Sequence, residues 1–215
     1  MAEHGILGPW KTRLNRQFTA HDQQIYAWKL DFARAYFVPG AKVLDVGCGD
    51  GRIAKFLQDT HGCHVTGVDT IDYHMTDIPF TCYDGKTLPF ADHHFDVVLL
   101  VCVIHHADDP AALVREAARV GKCVVLVEDY CATWWGKIGL HVNDYFVNIL
   151  QNTYKVWTGY RRGSVFDMQW RLKFQTEGEL RRMFSANALQ LEFFRRTNRS
   201  WKGMCHGNYV LAKSE

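Results

Sequence analysis

Three glycines on alternate positions, Gly47, Gly49 and Gly51, separate an apolar run, Val43-Leu44-Asp45-Val46, from a stretch with helical spacing, Arg52-Ile53-Ala54-Lys55-Phe56-Leu57. A strand that turns this tightly into a helix opens a nucleotide-binding α/β sheet. Glycine serves the turn twice: it takes backbone angles other residues avoid, and its missing Cβ lets a ligand lie against the main chain. The spacing is G-x-G-x-G, with Arg52 standing where a dinucleotide-binding turn has its third glycine. Asp45 precedes the first glycine by two residues. A carboxylate at that strand end repels a pyrophosphate on the helix N-terminus and favours an ammonium or sulfonium. The pattern suits a cationic, phosphate-free nucleoside.

A chain of 215 residues with 47% hydrophobic and 22% charged content is expected to fold as one domain with a sizeable core. A formal net charge of +2 gives no argument for nucleic acid. The seven cysteines include no C-x-x-C pair, which favours reduced thiols and a cytoplasmic protein over a disulfide framework. His61, Cys63 and His64 lack a matching second ligand pair, so no metal site is expected. No run is apolar and long enough to span a bilayer, and Met1 to Gly8 has no signal-peptide core.

In chain order, residues 1–40 read as an N-terminal extension with one helix, whose apolar positions Ile25, Trp28, Leu30, Phe32, Ala35 and Tyr36 precede the Pro39-Gly40 stop. Cys63 to Val68 reads as the second strand, ending at Asp69, where a carboxylate can accept bonds from both hydroxyls of a ribose. Residues 70–78 show no helical period and read as a loop; Phe80 to Tyr83 is the third strand, before Asp84-Gly85. Phe95 to Val101 is a continuous aliphatic run, the pattern of a central parallel strand. Asp109 and Pro110 cap a helix over Ala111 to Val120, and Cys123 to Val127 is the fifth strand, ending at Glu128-Asp129.

Val43 to Gly51 resembles motif I of the class I S-adenosylmethionine (SAM)-dependent methyltransferases. The series from Leu88-Pro89-Phe90 through His105-His106-Ala107-Asp108-Asp109-Pro110 to Gly121-Lys122 resembles their type-11 branch. The resemblance covers about residues 40–130. It implies a Rossmann-like fold: a mostly parallel seven-stranded sheet flanked by helices, an antiparallel last strand and a helical insertion after strand 5. It implies SAM as cofactor, S-adenosylhomocysteine as product, and in-line methyl transfer. The implied cofactor residues are Asp45, Gly47, Cys48, Gly49, Asp69, Thr70, Asp84, Gly85, Val101 and Cys102. Asp84 is the candidate for the adenine amine, although an ordinary Asp-Gly turn explains it almost as well.

His105 and His106 follow the fourth strand at its carboxyl end; either could take a proton from an attacking hydroxyl or amine, or simply hold the turn. Glu128 and Asp129 are weaker candidates for acceptor binding. Residues 130–172 carry ten aromatics, including Trp134, Trp135, Phe146, Trp157 and Trp170, and Ile138, Val142, Phe146, Ile149 and Leu150 fit one amphipathic helix. This insertion reads as an acceptor lid, with a dimer face or membrane-surface patch as alternatives. Thr176 and Glu179 form a capping box, Leu189 to Phe194 and Asn208 to Ala212 are the closing strands, and Arg195, Arg196, Arg199 and Lys202 read as a basic turn between them. The expected protein is a single-domain methyltransferase, monomer or homodimer, acting on a small-molecule acceptor. A tRNA or rRNA methyltransferase and a non-catalytic SAM-binding partner are the alternatives.

Overall fold

The computed structural model describes residues 8–157, 159, 173–199 and 204–213; Tyr160, Phe166, Trp170 and Lys202 lie outside the described residues. The strands are β1 Lys42–Val46, β2 His64–Asp69, β3 Phe80–Cys82, β4 Phe95–Val101, β5 Gly121–Cys131, β6 Leu189–Arg199 and β7 Met204–Lys213. They form one sheet in the order β3-β2-β1-β4-β5-β7-β6. Neighbours are parallel except for β7, which runs antiparallel to both β5 and β6. The chain travels outward from β1 to β3 and returns to β4. The carboxyl ends of β1 and β4 therefore part at a topological switch point, where such sheets bind ligands.

Alternation along each strand feeds two apolar layers. Leu44, Val46, Val98, Leu100, Leu126 and Tyr209 face the helices α3 Pro110–Val120 and α5 Glu177–Ala186. Val43, Val97, Leu99, Val125, Val127 and Val210 face α2 Arg52–His61 and the Leu30 to Phe37 segment. Burial on both faces is why β4 and β5 read as unbroken apolar runs. Each such side chain contributes about 1.5–3 kcal/mol.

Local signals account for the helix ends. Asp109 accepts from Ala112 N with Pro110 in the first turn of α3, and Thr176 and Glu179 form the reciprocal capping box of α5. Gly62 ends α2 in the left-handed conformation. The link between β2 and β3 has no helix, as its lack of period suggested.

Three features differ from expectation. The N-terminal helix, α1, spans Gly8–Leu30, and the chain then tightens into a 3-10 segment, Asp31–Tyr36. β5 continues to Cys131 because β7 pairs with its last residues. Arg195, Arg196 and Arg199 are not in a turn: all three lie in β6, paired with Asn208, Gly207 and Cys205. Arg196 donates to the Tyr130 hydroxyl at 2.7 Å and pairs with Glu177 at 2.7 Å.

After β5 the chain leaves the sheet for a long helix, α4 Trp134–Trp157, and returns before α5. Cys131 N donates to Gln175 O at 2.9 Å and Cys131 bridges Thr176, so the two ends of this excursion meet. Ile138, Val142, Phe146 and Leu150 are exposed along α4, while Leu140 is buried.

Candidate cofactor and acceptor site

The crevice at the switch point is built by main chain first. Gly47 and Gly49 have φ of +71° and +54°, which suit glycine best. A Cβ on Gly47 would lie 2.3 Å from Val103 Cγ2, so this turn must be bare to nest beneath the turn after β4; a Cβ on Gly49 would meet open space. Asp50 Oδ1 accepts from Arg52 N at 3.2 Å, and its carboxylate pairs with the Arg52 side chain at 3.3 Å. An acid thus already occupies the α2 N-terminus, the place where a phosphate would bind.

Asp69 ends β2 across the crevice. Its Oδ2 accepts from Gly49 N at 2.8 Å and its Oδ1 from Thr70 N at 2.7 Å, fixing the carboxylate while leaving lone pairs on both oxygens. Asp84 Oδ1 accepts from Lys86 N and Thr87 N, which folds the Asp84-Gly85 corner into a turn and leaves its second oxygen outward. These backbone bonds hold the Asp84 carboxyl below the usual range.

A cavity of about 480 Å³ opens here, lined by Gly47, Gly49, Asp69, Thr70, Asp84, Gly85, Cys102 and His106, all anticipated from the sequence. It is also lined by Ile71, Tyr73, Tyr83, Val103, Ala107, Asp108 and Leu113, which were not anticipated. Tyr83, directly before Asp84, was the legible one. Burial, with the charges of Asp69 and Asp84, pushes its hydroxyl up to about 12.

Asp45, Cys48, Val101 and His105 do not line that cavity. Cys48 turns its sulfur toward Gly67 and Ile78, and burial with nearby Asp45 and Asp69 raises its thiol far above the ordinary value. It is a packing residue. Val101 packs with the layer beside α2. Asp45 is buried with Oδ2 lacking any hydrogen-bond partner; burial first, then the charges of Asp69 and Asp50, push it up to about 7.

The two histidines separate. Ile104–His106 form a 3-10 turn, so successive side chains point about 120° apart. His106 faces the cavity. His105 is 3% exposed, shares a 2.5 Å hydrogen bond with Glu128 Oε1, and stacks on Phe174. Glu128 Oε2 also accepts from Ile104 N at 2.9 Å, so this carboxylate anchors the turn rather than facing an acceptor. The His105 and His106 rings touch, with centroids 4.1 Å apart. Cys102, starting this turn, is a non-glycine at φ +52°, a conformation costing roughly 1–2 kcal/mol. Asp129 pairs with His206 at 2.7 Å. Burial raises the Asp129 carboxyl, but the His206 hydrogen bond and charge outweigh it and hold it below its ordinary value. Among the described residues no group of three or more side chains could hold a metal ion, and no helix is long and apolar enough to cross a membrane.

This order of strands around a phosphate-averse glycine crevice is the Rossmann-like architecture of class I methyltransferases. Residues 44–123 match the family model described as a methyltransferase domain. Over those residues the chain is similar to that family, whose cofactor is SAM. It is 30% identical to a ubiquinone biosynthesis O-methyltransferase of Neisseria meningitidis, over 54% of this chain and 54% of that protein. It is 33% identical to cycloartenol-C-24-methyltransferase 1 of Oryza sativa, over 44% and 32%. The chain spans about half the length of the first curated relatives it matches. Among solved structures it resembles a SAM-dependent methyltransferase from Methanosarcina mazei, with a TM-score of 0.58 and 19% identity over 85% of this chain and 96% of that one. It also resembles the [4+2]-cyclase SpnF, with a TM-score of 0.61 and 13% identity over 90% and 80%. Likeness at that level is likeness of fold alone.

The crevice fits the cofactor. Fixed carboxylate oxygens on Asp69 suit a ribose diol, the bare turn at Gly47 and Gly49 admits close approach, and the orphaned Asp45, buried behind that turn, favours a cationic amino acid portion without touching it.

Proposed function

We propose that this protein transfers a methyl group from SAM to a small-molecule acceptor. The observation that carries the reading is Asp69: one carboxylate braces both the glycine turn and its own strand end while keeping lone pairs toward the cavity. Asp69 would hold the ribose, Asp84 the adenine amine, and Tyr83 and Leu113 the base, while Asp45, behind the glycine turn and out of contact, would favour the positive charge of the methionine portion. When bound, SAM supplies an electrophilic methyl on a sulfonium leaving group. The chain's own task is then alignment and exclusion of water, the larger share of the rate. His106, which lines the cavity, would take the proton that an acceptor hydroxyl or amine loses and hold it on its ring. His105 and Glu128 support the turn behind it. The insertion containing α4 serves as the acceptor lid.

Calorimetry with SAM and with NAD tests the cofactor, and a labelled-methyl screen over small phenols, amines and thiols tests the transfer. Binding of NAD in preference to SAM would overturn the reading. Cofactor binding without transfer to any acceptor would favour a SAM-binding partner protein.

A further inference from the structure

Among the described residues, four buried polar atoms on the α2-facing side of the sheet have no hydrogen-bond partner: Asp45 Oδ2, Arg195 Nε, His206 Nε2 and Asn208 Oδ1. A fifth, the Tyr209 hydroxyl, belongs to the opposite layer. Native interiors rarely leave such groups unsatisfied, and each one asks for a reason. Asp45 has one in the cofactor reading. The other three form a single patch. Arg195 on β6 pairs in register with Asn208 on β7, and His206 is the next β7 residue on that face. Asn208 pairs in turn with Val127, and Val127 with Val101, the last residue of β4. The patch therefore lies at the level of the crevice, toward the side of the sheet where β7 and β6 follow β5.

The charges there favour an anion. Among the described residues the Arg195 side chain makes no hydrogen bond or ion pair; its guanidinium lies over the Phe32 ring, 5.8 Å from the centroid. Lys29, near the end of α1, adds a second cation close enough to bear on Asp129. Asp129 is taken up by His206, and Glu192, on the bulge preceding Arg195, accepts the Tyr36 hydroxyl at 2.5 Å. Half-buried Arg195 and His206 form the open side, and Asn208, 1% exposed, forms the floor. A partly buried cation beside an amide and an imidazole with spare capacity suits a small oxyanion.

We propose that Arg195, His206 and Asn208 bind the anionic group of the methyl acceptor, a carboxylate or a phosphate. The guanidinium donates, His206 donates from Nε2 as the imidazolium while its Nδ1–H stays on Asp129, and the Asn208 amide, whose two ends exchange by rotation, adds an N–H. This subsite rests on the methyltransferase reading and assigns the acceptor a chemical class: a small acid whose anionic end is held on β6 and β7.

The test is calorimetry on the full chain with two probe pairs, 3,4-dihydroxybenzoate against catechol and phosphoethanolamine against ethanolamine, each titrated with and without S-adenosylhomocysteine. Binding of S-adenosylhomocysteine, read first, tests the cofactor reading separately. One charged probe binds at least about tenfold more tightly than its neutral partner, and Arg195→Gln abolishes that preference while leaving S-adenosylhomocysteine affinity unchanged. Which charged probe binds separates carboxylate from phosphate. Asn208→Leu weakens the same probe and raises the melting temperature, because it removes an orphaned amide. Equal binding within both pairs, failure of both charged probes, or an Arg195→Gln protein that keeps the preference would overturn the subsite.

Discussion

Glu128 on β5 and His105 in the turn after β4 share a 2.5 Å hydrogen bond sealed from solvent, with side-chain exposures of 1% and 3%. The same carboxylate accepts from Ile104 N and Asp129 N, each at 2.9 Å. Glutamine is isosteric but offers only one acceptor oxygen, so Glu128→Gln must strand a buried donor. The expected loss is about 1–3 kcal/mol in urea unfolding. Methyl transfer should fall further than S-adenosylhomocysteine affinity, because the loosened turn carries His106. A downfield imidazole N–H signal, present in the wild type, should vanish; its persistence would show that the pair survives.

Asp45 predicts an unusual pH response. Its carboxyl is raised in the folded protein to about 7, above its unfolded value, so the folded state holds the extra proton between those two values. Stability of the ligand-free protein should therefore fall as pH rises from about 4 to about 7, at roughly 1.4 kcal/mol per unit at most. Above that window the loss is complete. Asp45→Asn should flatten this slope and leave the protein more stable at neutral pH. A wild-type curve as flat as the variant's would disprove the assignment.

Gly47→Ala should destabilise the fold by about 1–3 kcal/mol, because φ is +71° and the new methyl would meet Val103 Cγ2. Gly49→Ala, with open space at its Cβ but φ at +54°, should cost only the backbone strain of about 1–2 kcal/mol and also weaken cofactor binding. Thermal unfolding and calorimetry on both variants separate the two effects.

Asp69→Ala should weaken SAM by about 1–3 kcal/mol, the cost of stranding paired polar groups. His106→Ala should do the reverse, lowering turnover while cofactor affinity holds. Parallel loss of both quantities in the histidine variant would make it a packing residue.

Much of this was readable from the chain. The strands around Gly47 and Gly49 and the capped helices follow from local spacing, which needs no tertiary information. The histidines did not resolve, because only the pitch of a 3-10 turn decides which of two neighbours faces inward. Cys48 looked like cavity lining until the turn's φ values aimed its sulfur at Gly67. Arg195 and Arg196 read as loop because charges dominate a strand whose pairing extends through the end of β6. The anchoring by Glu128 joins residues 23 and 24 positions apart, beyond any local pattern.

The meeting of Cys131 with Gln175 and Thr176 has a consequence for how such chains diversify. Because the excursion departs and rejoins at one point, it can be exchanged as a unit, provided the replacement restores the stack of Phe174 on His105 and the pair of Lys137 with Glu179. A graft from a relative with a different taste in acceptors, spliced at Cys131 and Gln175, should inherit the donor's preference and the recipient's framework.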